Sequence, residues 1–150
     1  MKWNKHVDYI LGKAYRNLGF IKRNLYHCNS VTKERAYFAL VRPGLEYASS
    51  LWDPAQITLI KKIERLQRKA VRFVSGNRSR EEGVVSGLLA ERNWLSLQSR
   101  RKTSRLCMVF RMVNNLVGLE VCDYFKFKSS ATRSRHNLQF QRFSCGSEGC

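Results

Sequence analysis

The first twenty-six residues commit this chain to a helical class. Val7, Leu11, Ala14, Leu18, Ile21 and Leu25 recur at intervals of four, three, four, three and four. Such spacing lines one side of a 3.6-residue helix, whereas a strand, with a side-chain period of two, would send half of these residues to water. The spacing predicts a helix over about Asn4 to Tyr26, with Lys5, Lys13, Arg16, Lys22 and Arg23 off the seam. Gly12 and Gly19 weaken it by up to about 1 kcal/mol each, or let another helix come close.

Four further helical stretches follow. Thr32 is the expected N-cap of the second, whose inner side reads as Ala36, Tyr37, Leu40 and Val41. Pro43 has no amide hydrogen and crowds the preceding turn, so this helix stops near Val41, and the helical pattern resumes through Leu45, Ala48, Leu51 and Trp52. Asp53-Pro54-Ala55-Gln56 reads as a start signal, with Asp53 capping and Pro54 in the first turn. The third helix then runs to Gly76, with Ile60, Ile63, Gln67, Ala70 or Val71, and Val74 inward. A short helix spans Val84 to Glu91. Ser96 caps a last long helix that carries Leu97, Leu106, Cys107, Phe110, Val113 and Val117 inward and ends at Gly118. The expected architecture is all-α: a small bundle of about four to five helices over residues 1–123, with a basic, loose tail over 124–150. The 43% hydrophobic content is enough for a core.

Charge narrows the function. The net charge is +17, from 28 Lys and Arg against 11 Asp and Glu. The excess is spread along the chain: residues 1–75 hold 15 basic and 5 acidic residues, and 76–150 hold 13 and 6. A field of one sign over a folded domain implies a polyanionic partner, RNA or DNA phosphate backbone. No secretory leader is visible, because Lys5, His6, Asp8 and Lys13 interrupt any apolar run, and no uncharged stretch is long enough to span a membrane. The expected location is intracellular, nuclear or cytoplasmic, and the five cysteines are expected as thiols.

The strongest candidate site is the outer face of the third helix. Lys61, Lys62, Arg65, Arg68, Lys69 and Arg72 share it, opposed only by Glu64, and solvated faces ordinarily mix signs. Arg100 and Arg101, followed by Lys102 and Arg105, open the last helix, where cations oppose the helix dipole; either phosphate or the carboxylates of Glu91 or Glu64 would explain them. Lys22 and Arg23 join the candidate set from the first helix. Trp3, Trp52 and Trp94 read as core rather than as stacking platforms. His6, His27, His136 and the cysteines lack the paired spacing of structural zinc, and no Ser/His/Asp or Cys/His arrangement or Gly-rich phosphate loop is readable. The expectation is therefore no metal, no cofactor, no catalytic residue and no small-molecule substrate.

Several segments in order resemble the region downstream of the polymerase domain in LINE-type (non-LTR) retrotransposon endonuclease–reverse transcriptases. Trp3-Asn4-Lys5-His6-Val7 is similar to that family's Trp-x-x-His opening, and Gly19-Phe20-Ile21-Lys22-Arg23-Asn24-Leu25 to its Gly-Phe-(Leu/Ile)-Lys-Arg-Asn-Leu signature. Leu40 to Ser49, Leu51-Trp52-Asp53-Pro54, Arg65-Leu66-Gln67-Arg68-Lys69-Ala70-Val71-Arg72-Phe73, Asn93-Trp94-Leu95-Ser96-Leu97 with Arg100-Arg101, and Thr132 to Asn137 continue the match. The ending Cys145-Gly146-Ser147-Glu148-Gly149-Cys150 departs from the family's pattern, which reads as a truncated copy. The resemblance implies a helical region near the thumb that grips template RNA or target DNA. The family's polymerase needs a paired Asp-Asp to hold two cations. This chain has only Asp8, Asp53 and Asp123, none adjacent, and the endonuclease domain is absent too, so no enzymatic activity is expected. The rival expectation is a protein-interaction fragment that docks through the apolar seam of the first helix.

Overall fold

A computed structural model describes residues 3–77, 79, 81, 83–126, 140 and 141. The expected loose tail falls mostly on residues 127–139 and 142–150, outside the described ones. The fold is all-α: α1 (Asn4–Asn24), α2 (Ser30–Leu40), α3 (Arg42–Glu46), α4 (Ile57–Ser75), α5 (Val84–Glu91), α6 (Leu97–Val113) and α7 (Val121–Tyr124), with no β-strand among the described residues. None of these helices is long and apolar enough to cross a membrane. The chain divides into two compact units, Met1–Leu106 and Cys107–Cys150.

In the first unit, α1, α2 and α4 pack pairwise, α3 lies against α1 and α2, and α5 lies against α4. The predicted seam of α1 is the inner face of this bundle: Val7, Leu11, Ala14, Leu18 and Ile21 are buried, joined by Ile10, while Leu25 is half-buried. This corrects the rival expectation. A seam already packed against α2, α3 and α4 has no free surface on which a partner could dock. The glycines of α1 do not serve close helix packing either. A Cβ at Gly12 or Gly19 would meet only the ends of Arg16 and Arg23, one turn ahead on the same helix.

Asn29, not Thr32, caps α2: its Oδ1 accepts from the Thr32 amide at 2.8 Å. Asn is the stronger cap and stands at the chain break, so the helix begins two residues before Thr32. Tyr37 and Val41 are buried as expected, but Leu40 is exposed. The chain turns at Val41, and Pro43 occupies the first turn of α3, where a missing amide costs nothing. The helical pattern expected through Trp52 stops at Glu46, because Tyr47 is extended and Ala48 adopts a left-handed φ of 53°. The Trp52 indole donates back to the Tyr47 carbonyl at 2.8 Å and fixes this turn. Leu51 is consequently exposed while Trp52 is buried.

α4 has the sharpest two-sided pattern. Leu59, Ile63, Leu66, Gln67, Ala70, Val71 and Val74 face the core, and Gly76 closes the helix with φ 67°. Only Gly readily takes that conformation. Gln67 is buried and donates to the Leu95 carbonyl at 2.9 Å. α5 has the predicted bounds, and Ser96 caps α6 as predicted, its hydroxyl accepting from the Ser99 amide at 3.0 Å. Leu97 is buried, but the expected inner stripe further along α6 is not formed: Leu106 and Phe110 are 60% and 62% exposed and Cys107 is exposed. The helix also ends at Val113, not Gly118, where the chain turns through Asn115 at φ 53°.

Candidate nucleic-acid interface

The amphipathic pattern that buries one face of α4 pushes its cations to the other. Lys61, Lys62, Arg65, Arg68 and Lys69 are all exposed, and at 100° per residue they lie within an arc of roughly a third of the helix circumference. From Lys61 to Lys69 the stripe is about 12 Å long at 1.5 Å per residue. Among the described residues, Asp8 and Glu64 come near it. Asp8 pairs with Lys62 at 3.1 Å, both side chains largely exposed, which screens the contact and makes it weak. Glu64 is committed elsewhere, accepting from the Gln98 amide at 2.8 Å and so capping α6 from another helix. A groove beside the stripe is lined by Lys61, Arg65, Arg68 and Gln98 together with Glu64.

Arg72 lies on the same arc of α4 yet leaves the stripe. It is half-buried at the end of the helix, and its Nε is enclosed with no hydrogen-bond partner among the described residues. It lines a separate cleft of about 700 Å³ with Lys22, Lys33, Lys69 and Phe73. The Phe73 ring forms a floor, with the Lys33 ammonium 5.2 Å and the Lys22 ammonium 5.9 Å from its centroid. Partial burial, with the charge of Lys69 behind it, holds the Lys22 ammonium below its usual range. Arg23, next to Lys22, points away into solvent and is not among the cleft's lining residues. Lys33 was absent from the sequence-based candidates. It sits on α2, alone among mixed neighbours, and only packing brings it to α4.

The structure places Arg100 and Arg101 in ion pairs within the fold, and the enclosure of Arg101 corrects its expected phosphate contact. Arg100 makes a two-pronged contact to Glu46, through Nε and, at 3.0 Å, through a terminal nitrogen. This bidentate bond holds the Arg100 guanidinium above its usual pKa despite partial burial. Arg101 is 0% exposed; its Nε donates to Asp53 at 3.0 Å and its guanidinium lies 5.8 Å from the Trp52 ring centroid. A fully enclosed guanidinium cannot reach a phosphate. Arg105 pairs with the other oxygen of Asp53 at 2.7 Å. The partners are thus Glu46 and Asp53, not Glu91 or Glu64. Asp53 is taken up by these two cations and does not cap α4, whose N-cap residue Gln56 makes no side-chain cap bond.

Trp52 and Trp94 are buried, as the sequence predicted, and Trp3 packs half-buried against the same core cluster. Trp94 stacks on Tyr37 with ring centroids 4.7 Å apart and donates to Glu34 at 2.6 Å, while Arg92 approaches the same carboxylate at 3.4 Å. Burial drives the Tyr37 phenol well above its usual range, and its hydroxyl has no partner among the described residues. Among the described residues no three His, Cys, Asp or Glu side chains gather as a metal site would require. No protein-family model, no curated protein and no solved structure matches the chain.

Proposed function

We propose that this chain is a non-catalytic, nucleic-acid-binding region of the LINE-type reverse-transcriptase kind, gripping the phosphate backbone of RNA or DNA through the outer face of α4. The observation that supports this reading is five exposed cations on one arc of one helix, with one weak acidic contact between them. Each phosphate neutralised there releases counterions, which gives affinity without sequence preference. The whole-chain charge of +17 supports the same partner. The origin rests on the ordered segment resemblance along the chain, and the lack of catalysis on the missing Asp-Asp pair.

The test has two arms. Purified chain is titrated into labelled RNA and DNA at rising salt, and binding should weaken steeply for both. It is also incubated with a primed RNA template, nucleotides and magnesium or manganese, and no primer extension should be seen. Binding that is insensitive to salt would overturn the backbone reading, and extension above a blank would overturn the non-catalytic one.

A further inference from the structure

The cleft at the C-terminal end of α4 draws cations from three helices. Lys22 comes from α1, Lys33 from α2, and Lys69 and Arg72 from α4. None of the described residues lining it is acidic. The ammonium groups of Lys22 and Lys33 lie within one sphere of radius 5.9 Å about the Phe73 ring. Burying an ammonium in a concave, partly dry place beside other cations is unfavourable, and the lowered basicity of Lys22, from burial first and the charge of Lys69 second, reflects that cost. Positively charged groups held together against their own repulsion, with no acid among the described lining residues, suit an anionic ligand.

We infer that this cleft is a phosphate seat for a single strand, taking backbone phosphates of one or two consecutive nucleotides where the strand leaves the α4 stripe. The inference rests on the nucleic-acid reading above. Lys69 belongs to both places, exposed on the stripe and lining the cleft, so a strand passes from one to the other without a gap. Size decides between strand types. About 700 Å³ lies within the range of small-ligand pockets, which suits a nucleotide unit and is too small for the body of a duplex. A duplex would meet the exposed stripe and pass over the cleft.

Lys22→Gln/Lys33→Gln removes two cations from the cleft and none from the stripe. Its counterpart, Lys61→Gln/Arg65→Gln/Arg68→Gln, does the reverse. Both are titrated by fluorescence anisotropy against a labelled single-stranded RNA of about twelve nucleotides and against a duplex of the same length. Two lost single-strand contacts predict a salt slope shallower by about 1.4 and an affinity roughly ten- to thirtyfold lower near 0.1 M salt. Duplex affinity should stay within about twofold. Lys22→Gln alone should raise the melting temperature while lowering single-strand affinity, which a merely structural lysine would not do. Lys22→Arg/Lys33→Arg should keep most of the binding, which guards against a loss caused by misfolding. If the cleft variant binds the single strand like the parent while the stripe variant is weakened, the seat is overturned and the backbone reading survives. Equal losses on single strand and duplex overturn the single-strand assignment. If the parent itself binds neither probe, the backbone reading falls and the seat with it.

Discussion

Replacing Asp53 by Asn separates two roles for one residue. As a helix cap, Asn serves about as well as Asp, so the change would cost a few tenths of a kcal/mol. As the counter-charge of a buried guanidinium, Asp53 is not replaceable. Arg101 is 0% exposed, and Asp53 lies 3.0 Å from its Nε. Removing one partner of a buried pair costs about 3–5 kcal/mol, because the remaining charge is left uncompensated away from water. Asn keeps one acceptor for the Nε hydrogen, which places the expected loss near the lower end, about 3 kcal/mol. The pair to Arg105 adds little, since that side chain is 44% exposed and such pairs are worth about 0–1 kcal/mol. Three kcal/mol is a large share of the roughly 5–15 kcal/mol that holds a domain together. Urea denaturation followed by far-UV circular dichroism measures it, with Arg105→Gln as the control expected to lose no more than about 1 kcal/mol. Asp53→Leu combined with Arg101→Met should recover most of the loss, because a well-packed apolar pair often replaces a buried ion pair at no cost. A loss below about 1 kcal/mol for Asp53→Asn, with an unchanged denaturant slope, would refute the buried-pair argument.

Tyr37→Phe removes a buried hydroxyl that has no partner among the described residues, so stability at neutral pH should hold or rise by up to about 1 kcal/mol. The same change bears on alkaline pH. Burial raises the folded phenol above its ordinary 10.0, so its contribution is intact below pH 10.0 and is lost as pH rises above it, where only the unfolded chain ionises. Tyr37→Phe should remove that part of the alkaline destabilisation, as read by melting temperature across the range. Trp94→Phe keeps the stack on Tyr37 but deletes the 2.6 Å bond to Glu34, and should cost about 1.5–3 kcal/mol in the same urea assay. Gly76→Ala forces a Cβ into a left-handed turn at φ 67° and should cost about 1–2 kcal/mol.

What the sequence made legible is what spacing within one helix encodes. The seam of α1, the two faces of α4, the stop at Gly76 and the cap at Ser96 depend on residues within a turn or two of one another. Errors arose where a distant residue decided. Asp53 had the local credentials of a cap, but Arg101 and Arg105, about fifty positions on, claim its carboxylate. For Arg100 and Arg101 the sequence offers a phosphate or the carboxylates of Glu91 or Glu64, because their actual partners Glu46 and Asp53 are far away in sequence. Arg72 has the spacing of the stripe, yet near the end of α4 it is half-buried and lines the cleft instead. Lys33 has no local pattern at all and enters the cleft only through the packing of α2 on α4. The inner face predicted for α6 beyond Leu97 failed for a related reason. Periodicity shows that a helix has an apolar side but not that a neighbour covers it, and Leu106 and Phe110 are exposed.

The most direct test of the account is the salt dependence of single-strand binding by the parent and by Lys61→Gln/Arg65→Gln/Arg68→Gln. If each of the five exposed α4 cations meets one phosphate, the stripe alone contributes a slope of about −3.5, roughly a hundredfold loss of affinity between about 50 and 200 mM salt. The triple variant retains two of the five and should reduce that contribution to about −1.4, less than tenfold over the same interval. Helicity should be unchanged, since Gln is a good helix former and none of the three side chains enters the core. RNA and DNA strands should respond alike, because phosphates carry no sequence. A triple variant that binds as tightly as the parent, with the same slope, would contradict the account and reduce the stripe to a solvated face.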